Sequence, residues 1–464
     1  MLHVISRKTV FVVVLLILGF TALANFTILD SNPYDGDGRQ YVTIAYNLKV
    51  HGVFALEDQS PLSPTNVREP AYPFLLALLM APLGIDQDTD LQCLVGMKAG
   101  CERERLYLKL ADVATQLLIG LAGSAILWCL TGNVWATLAI ALLLGSSTGL
   151  LTFTNIASSE VLSAFWMLIH SWGLRQIVSG NRPRLWAIMG GLVLGLLVLT
   201  KTVFLLWLGL LAAAGAGLLV WRAWRTIAIP IILTAAIAAA VVSGWVARNY
   251  TQLDTFAVSQ RGAQVLALRA QYGSITGREY ISGYLYFTPL VGQALLDRFF
   301  TPADWKRFVR EAPDGFKAGA SGEQSLALRM NPNDPGQGAV MAILADLPIH
   351  LALVPLLTYQ AAFLQVGFNT LQSGDGGLGD VLVIASMVTH VLFVPAFLLL
   401  TVRALRRRCW PLIAFLAPSI YGMALHAVAT HYIPRYNAPL LAVMAVALVL
   451  LAVGWLRRGG SAKP

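Results

Sequence analysis

Charge is what this chain has little of: 12% of its residues are Asp, Glu, Lys or Arg, against 57% apolar. That balance excludes an ordinary soluble globule and indicates an all-α polytopic membrane protein. Cysteine is scarce as well, and the four present include no CxxC or Cys/His spacing that would suggest a zinc site. Cys129 and Cys409 fall in or beside apolar runs. Cys93 and Cys101 share one loop, where they either pair or stay as thiols depending on the compartment it faces. The histidines His350, His390, His426 and His431 lack HExxH, and the glycine-rich "SGDGGLGD" (373–380) lacks GK[ST], which removes the usual metal and phosphate-loop readings. No internal repeat is evident. The formal net charge of +9 does not indicate nucleic acid, because much of the excess sits in short basic clusters between apolar runs, where it sets topology.

What the chain has is long apolar runs of about 20 residues, enough to cross a bilayer. They fall near 9–29, 106–130, 133–154, 158–178, 186–200, 203–221, 227–247, 381–402, 410–429 and 438–456. The first follows Arg7 and Lys8 and reads as a retained helix rather than a signal peptide, since no small-residue cleavage site follows it. With both termini cytoplasmic, "RQIVSGNRPR" (175–184), "WRAWR" (221–225), "RALRRR" (403–408) and "RRGGSAK" (457–463) all lie on the cytoplasmic side. Two shorter stretches, 71–84 and 347–366, are bounded or interrupted by prolines and fit helices on or dipping into the outer leaflet; if both cross, the bundle of about ten helices becomes one of twelve. The chain then divides into an N-terminal membrane module (1–247) whose first outer loop spans 30–105, a second outer segment (248–380) and C-terminal helices (381–464). In the second segment "TPADWKRFVREAP" (301–313) predicts an interfacial helix with Thr301 as N-cap and Pro302 at its first position.

A transporter usually carries ionisable residues near the centres of its spans. Here they collect at the outward ends: Asp35, Asp37 and Arg39 after the first run, Glu160 at the start of the fourth, Lys201 between the fifth and sixth, Arg248 and Asn249 after the seventh, and His431 and Arg435 between the last two. Together they would form one polar chamber at headgroup level, suited to a substrate with a polar head and a lipid tail. Each has a plainer reading too. Asp37 with Gln40 makes a capping box for a helix ending at Gly52, Asp35 suits a turn, Arg248 and Arg435 suit interfacial anchoring, and Glu160 complements a helix dipole.

Several stretches, in order, resemble the GT-C superfamily of membrane glycosyltransferases, in particular the branch of dolichyl-phosphate-mannose protein mannosyltransferases and lipid A aminoarabinose transferases. They are "DGRQYVTIAYNLKVHGVF" with "REPAYPFLLALL", then "SSEVLSAFWMLI" and "GGLVLGLLVLTKTVFLL", then "GWVARNYTQLDTFAVSQRGAQVL", and last "HYIPRYNAPLLAVMAVAL". Two departures stand out. The aspartate–glutamate pair common in the family's first motif is Asp37–Gly38 here, and its Lys-Pro-Pro is Arg68-Glu69-Pro70.

The resemblance implies a GT-C-like bundle and an inverting transferase that moves one sugar from a polyprenyl-phosphate donor to a hydroxyl of a lipid, glycan or protein on the outer face; the compact chain, without an obvious retention signal, suggests a bacterial inner membrane. It makes Asp37, four residues before Tyr41, the catalytic base. Arg248, Arg435 and Lys201 would bind the donor phosphate. Tyr41, Arg68, Glu69, Glu160, Asn249, His431, Tyr436 and Asp35 would form the remaining substrate contacts. No cofactor is implied, and a divalent metal is left open. The rivals are an oligosaccharide ligase using a polyprenyl diphosphate, and a lipid or solute transporter.

Overall fold

Ser6 starts the first helix, α1 (Arg7–Ile28), by accepting a hydrogen bond from the Thr9 amide at 3.1 Å. The helix is apolar all round, yet it buries one stripe, Val10, Val14, Leu18, Thr21 and Asn25. The spacing is that of one helix face, so Phe11, Leu16 and Phe20 are left exposed toward lipid. A computed structural model describes residues 6–34, 36–288, 291–305, 308, 335–362, 378–430 and 434–459, with the side chains of 263, 264, 335, 361–390, 434 and 455–459 outside that description. Every regular element among the described residues is helical.

Eight helices among them are long and apolar enough to cross a membrane: Arg7–Ile28, Glu102–Thr131, Val134–Asn155, Pro183–Thr200, Thr202–Leu219, Arg222–Leu253, Trp410–Ala429 and Arg435–Gly454. There are nine if Gly336–Ala345 and Leu347–Gln360, bent by 85°, count as one broken span. The expected runs at 158–178 and 381–402 also form helices, Glu160–Val178 and Leu378–Arg406, but neither is among the eight. The first carries Glu160, His170 and Gln176, all buried against other protein, and a helix facing protein need not be uniformly apolar. The stretch 71–84 forms only Ala71–Met80, about 15 Å long and too short to cross.

The chain forms two compact units. The first comprises Met1–Val258, Val366–Ser419 and Ala438–Pro464; the second comprises Ser259–Gln365 and Ile420–Asn437. In the first unit, α6 (Leu110–Thr131), α7 (Val134–Gly145) continued by α8 (Thr148–Asn155), α9 (Glu160–Val178), α10 (Pro183–Thr200), α11 (Leu205–Leu219) and α12 (Arg225–Leu253) alternate in direction. The glycine pattern on α10 has a packing reason: a Cβ on Gly191 would lie 2.7 Å from the Thr234 carbonyl, and one on Gly195 2.6 Å from Val241. Small residues there let α10 and α12 run side by side. The alternation gathers the C-terminal ends of α1, α10 and α12 with the N-terminal ends of α6 and α9. Asp30, Lys109, Glu160, Lys201 and Arg248 all sit at that end.

Over this end lies the first loop, built from α2 (Gly36–His51), α3 (Ala71–Met80), α4 (Leu91–Leu94) and α5 (Glu102–Leu108). Tyr41, Val42, Tyr72, Leu76, Met80, Leu94 and Leu108 form its core and reach Leu162 of α9. Cys93 and Cys101 are joined in a disulfide, with Cα atoms 5.5 Å apart. Arg105 ties this loop down by donating to the carbonyls of Ser31 and Cys93 at 2.8 and 2.7 Å.

Two local readings need correction. α2 begins at Gly36, so Asp37 stands in its first turn rather than at the N-cap, and Gln40 spends its side-chain oxygen on Arg68 instead of closing a capping box. In the second unit the described part of the helix expected at 301–313 is Pro302–Trp305. Its cap is inverted, since the Thr301 amide and hydroxyl both donate to Asp304 Oδ2 at 2.9 Å.

Candidate functional site

The chemistry collects where α2 meets the ends of α9 and α10. Gly38 makes the approach possible: a Cβ there would fall 1.9 Å from the Ile156 carbonyl oxygen, so the turn before α9 presses directly on the backbone of α2. This accounts for the first departure from the family pattern. A glutamate after Asp37 has no room in this packing.

Asp37 forms an ion pair through Oδ1 with Arg68 Nη2. Arg68 also donates from Nε to Gln40 at 2.6 Å, and its guanidinium lies over the Tyr41 ring, 5.2 Å from the centroid. Tyr41 in turn shares a hydrogen bond with Ser159 at 3.1 Å. Beside Ser159, Glu160 accepts from Lys201 Nζ at 2.8 Å, and Glu69 accepts from the Thr202 hydroxyl at 2.9 Å. The second departure, Arg-Glu-Pro, therefore supplies one residue to Asp37 and one to the turn after α10.

Each ion pair has one buried and one accessible member. Side-chain exposure is 3% for Arg68 against 16% for Asp37, and 1% for Glu160 against 19% for Lys201. The buried partner fixes the accessible one, and the accessible pair is a carboxylate and an ammonium. Tyr41 is held protonated between them: burial raises its phenol above the ordinary range, and Lys201 opposes that only in part.

Below Tyr41 is a second layer that sequence reasoning missed. The Tyr41 and Tyr72 rings meet edge to face at 5.2 Å. Tyr72 donates to Asp112 Oδ2 at 2.6 Å, and burial, then Asp112, push its phenol well above the ordinary range. Lys109 meanwhile donates to Asp30 Oδ1 at 2.9 Å. The available signal was Asp112 itself, an ionisable residue just inside an apolar run.

α12 continues to Leu253, so Arg248 and Asn249 lie within its last turns rather than after the helix. Arg248 donates to the Thr65 carbonyl at 2.8 Å and stacks on Trp245, 4.8 Å from the ring centroid. Asn249 donates to the Ala257 carbonyl at 2.7 Å. Arg435 and Tyr436 belong to the second unit, where Tyr436 stacks on His426 at 4.5 Å. Asp35 and His431 lie outside the described residues. Among the described residues no group of three His, Cys, Asp or Glu is gathered to hold a metal, and Asp37 and Glu160 each pair with a cation.

An apolar cavity of about 410 Å³ opens between α3, α9, α10 and α12, walled by Phe74, Leu78, Trp166, Leu196 and Trp245, with Pro70, the residue after Glu69, and Leu199, two before Lys201, also in its lining.

No protein-family model matches this chain, and no curated protein matches it. Solved structures do. The archaeal oligosaccharyltransferase AglB from Archaeoglobus fulgidus, in complex with an inhibitory peptide and a dolichol-phosphate, is 15% identical with a TM-score of 0.50 over 97% of this chain and 52% of its own. The apo form of that oligosaccharyltransferase aligns equally well. ArnT from Cupriavidus metallidurans bound to undecaprenyl phosphate is 15% identical over 95% of this chain and 78% of its own, with a TM-score of 0.40. The chain spans about half the length of the oligosaccharyltransferase. At this identity the likeness is one of fold alone, shared with the oligosaccharyltransferase over nearly the whole of this chain.

Proposed function

We propose that this protein transfers a glycosyl group from a polyprenyl-phosphate donor to an acceptor hydroxyl at the extracytoplasmic membrane face. The observation that carries the reading is the juxtaposition of two ion pairs, each presenting its accessible member, beside an apolar groove. The Cys93–Cys101 disulfide supports an oxidising side for the loop that holds Asp37. An activated sugar on that side must arrive on a lipid, and the apolar cavity whose lining includes Leu199, two residues before Lys201, suits an isoprenoid tail.

In the reaction the acceptor oxygen attacks the anomeric carbon while Asp37 takes its proton, the bond from that carbon to the phosphate oxygen breaks, and the anomeric centre inverts. Arg68 holds the carboxylate toward the acceptor. Lys201, oriented by Glu160, stabilises negative charge on the departing phosphate. The leaving group is already a phosphate, so no general acid is required. Arg248, already committed to Thr65 and Trp245, supports the wall of the site. This favours Lys201 over Arg248 as the phosphate ligand.

A second reading, oligosaccharide transfer from a polyprenyl diphosphate, draws support from the whole-chain likeness to the oligosaccharyltransferase. The two readings separate on the donor headgroup. Purified protein in lipid nanodiscs would be given a polyprenyl-monophosphate sugar or a polyprenyl-diphosphate oligosaccharide, with products read by mass spectrometry. Asp37→Asn is expected to lower transfer by about 10²–10⁴-fold, the usual contribution of a positioned general base. Transfer near the wild-type rate by a folded Asp37→Asn protein would remove Asp37 from the mechanism.

A further inference from the structure

The second unit holds a buried cation of a different kind. Arg269, in the last turn of α13 (Gly262–Ala270), has no solvent exposure. Its Nη2 donates to the His350 carbonyl at 2.7 Å, whereas Nε and Nη1 are buried with no hydrogen-bond partner. His350, itself 2% exposed, likewise has no partner at either ring nitrogen. Burial lowers the Arg269 pKa to about 10, so the group is still a cation at neutral pH.

Leaving a guanidinium buried with unfilled donors is strongly destabilising, and a hydrocarbon side chain in its place would fold as well or better. Such a group is explained if an anion completes it. The surroundings point to where that anion comes from. His350 stands just after the 85° bend between Gly336–Ala345 and Leu347–Gln360. On both arms of that bend large apolar side chains are exposed: Met341, Leu344, Leu347 and Leu351, at 46%, 60%, 40% and 54%. In a membrane protein, apolar side chains exposed around a buried cation match an amphiphile with an anionic head. One competing carboxylate is present. Asp346 Oδ2 and His350 Nε2 flank Gly273, where an added Cβ would meet them at 2.9 and 3.4 Å; Asp346 is exposed, and the bend at this residue is where the cluster would open.

We propose that Arg269 and His350 form a binding site for a phosphate group, supplied by the head of a membrane lipid. The oxyanion accepts from Arg269 Nε and Nη1 and from a His350 ring N–H, while the acyl chains lie along the exposed leucines. The inference stands apart from glycosyl transfer and is tested without it.

Full-length detergent-solubilised protein would be titrated with phosphatidic acid, with diacylglycerol as the phosphate-free control and with inorganic phosphate. Retained lipid is read by native mass spectrometry and stabilisation by thermal unfolding. Wild type should retain phosphatidic acid at least about tenfold better than diacylglycerol, a ratio in line with hydrogen bonds to a charged group. Arg269→Met and His350→Asn should abolish that preference. If Arg269→Met does not fold, Arg269→Lys keeps the charge, and His350→Asn tests the site independently. Stabilisation by inorganic phosphate with no gain from acyl chains would keep the anion site and overturn the lipid as its source. Equal retention of the two lipids by wild type, with no response to inorganic phosphate, would overturn the proposal, as would retention unchanged in both variants.

Discussion

The two units treat buried charge in opposite ways. At the Asp37 end of the first, Arg68 and Glu160 are buried, and each is matched by a partly exposed partner of opposite sign. In the second, Arg269 is buried with two guanidinium nitrogens unfilled. A charge paired in advance orients its partner and is ready for chemistry; a charge left unpaired favours whatever anion can reach it. The difference lies in whether the protein or a ligand supplies the counter-charge.

The largest test of that contrast removes an anchor. Arg68→Met takes the guanidinium from Asp37, which is partly exposed, so the protein should fold while transfer falls by about 10²-fold or more. Arg68→Lys should recover little of it, because a point charge cannot serve Gln40 and Asp37 together as the guanidinium does. Wild-type turnover in Arg68→Met would mean that Asp37 needs no anchor.

The second test uses the asymmetry of exposure within one pair. Lys201→Met takes from Glu160, at 1% side-chain exposure, the ammonium that donates to it at 2.8 Å, and removing one member of a buried ion pair typically destabilises by up to about 3–5 kcal/mol. Glu160→Gln leaves Lys201, at 19%, able to find water, and should destabilise much less while weakening donor binding. Chemical denaturation of both variants, set beside KM for the donor, gives the comparison. Equal losses of stability would show that exposure does not set the hierarchy.

Gly38→Ala probes the packing that brings the pairs together. The added Cβ would overlap the Ile156 carbonyl, so α2 must move, at a cost of about 1–3 kcal/mol typical of overpacking. Activity should drop more than stability, because Asp37 moves with the helix. A Gly38→Ala protein with unchanged Tm and turnover would contradict the close approach.

Much of this was legible in the sequence, and the reasons it stopped short are physical. The order of apolar runs placed Glu160 and Lys201 at the same end, where they pair; the preference for Asp37 over Asp35 came from the resemblance, and Asp35 lies outside the described residues. What periodicity cannot carry is pairing across distance. Arg68 reaches Asp37 over 31 positions and Lys201 reaches Glu160 over 41, and nothing local marks either pair. Gly38 looked like a missing glutamate until the Ile156 carbonyl supplied its reason. Tyr72 stands within a quoted motif, but nothing near it in sequence points to its partner Asp112, 40 positions away. Arg269 and His350 belong to no motif, because what distinguishes them is the absence of a partner, which only three dimensions show.

The smallest expected effect completes the comparison with a pair that is neither buried nor unpaired. In the second unit Arg278 Nε and Nη2 donate to the two oxygens of Asp304 at 3.0 and 3.1 Å, with Arg278 63% exposed. Arg278 first, then the Thr301 amide, hold the Asp304 carboxyl well below the usual carboxylate range. A carboxylate whose pKa is lower folded than unfolded binds fewer protons in the native state. Its contribution is therefore present above the unfolded-state value and is lost as pH falls toward the folded one. Thermal unfolding of wild type and Asp304→Asn should differ slightly at neutral pH and converge in acid, and high salt should narrow the gap at neutral pH because the pair is exposed. A gap that is constant with pH would mean that Asp304 acts only by tying down Thr301 as a neutral acceptor, so that charge itself contributes nothing at this surface.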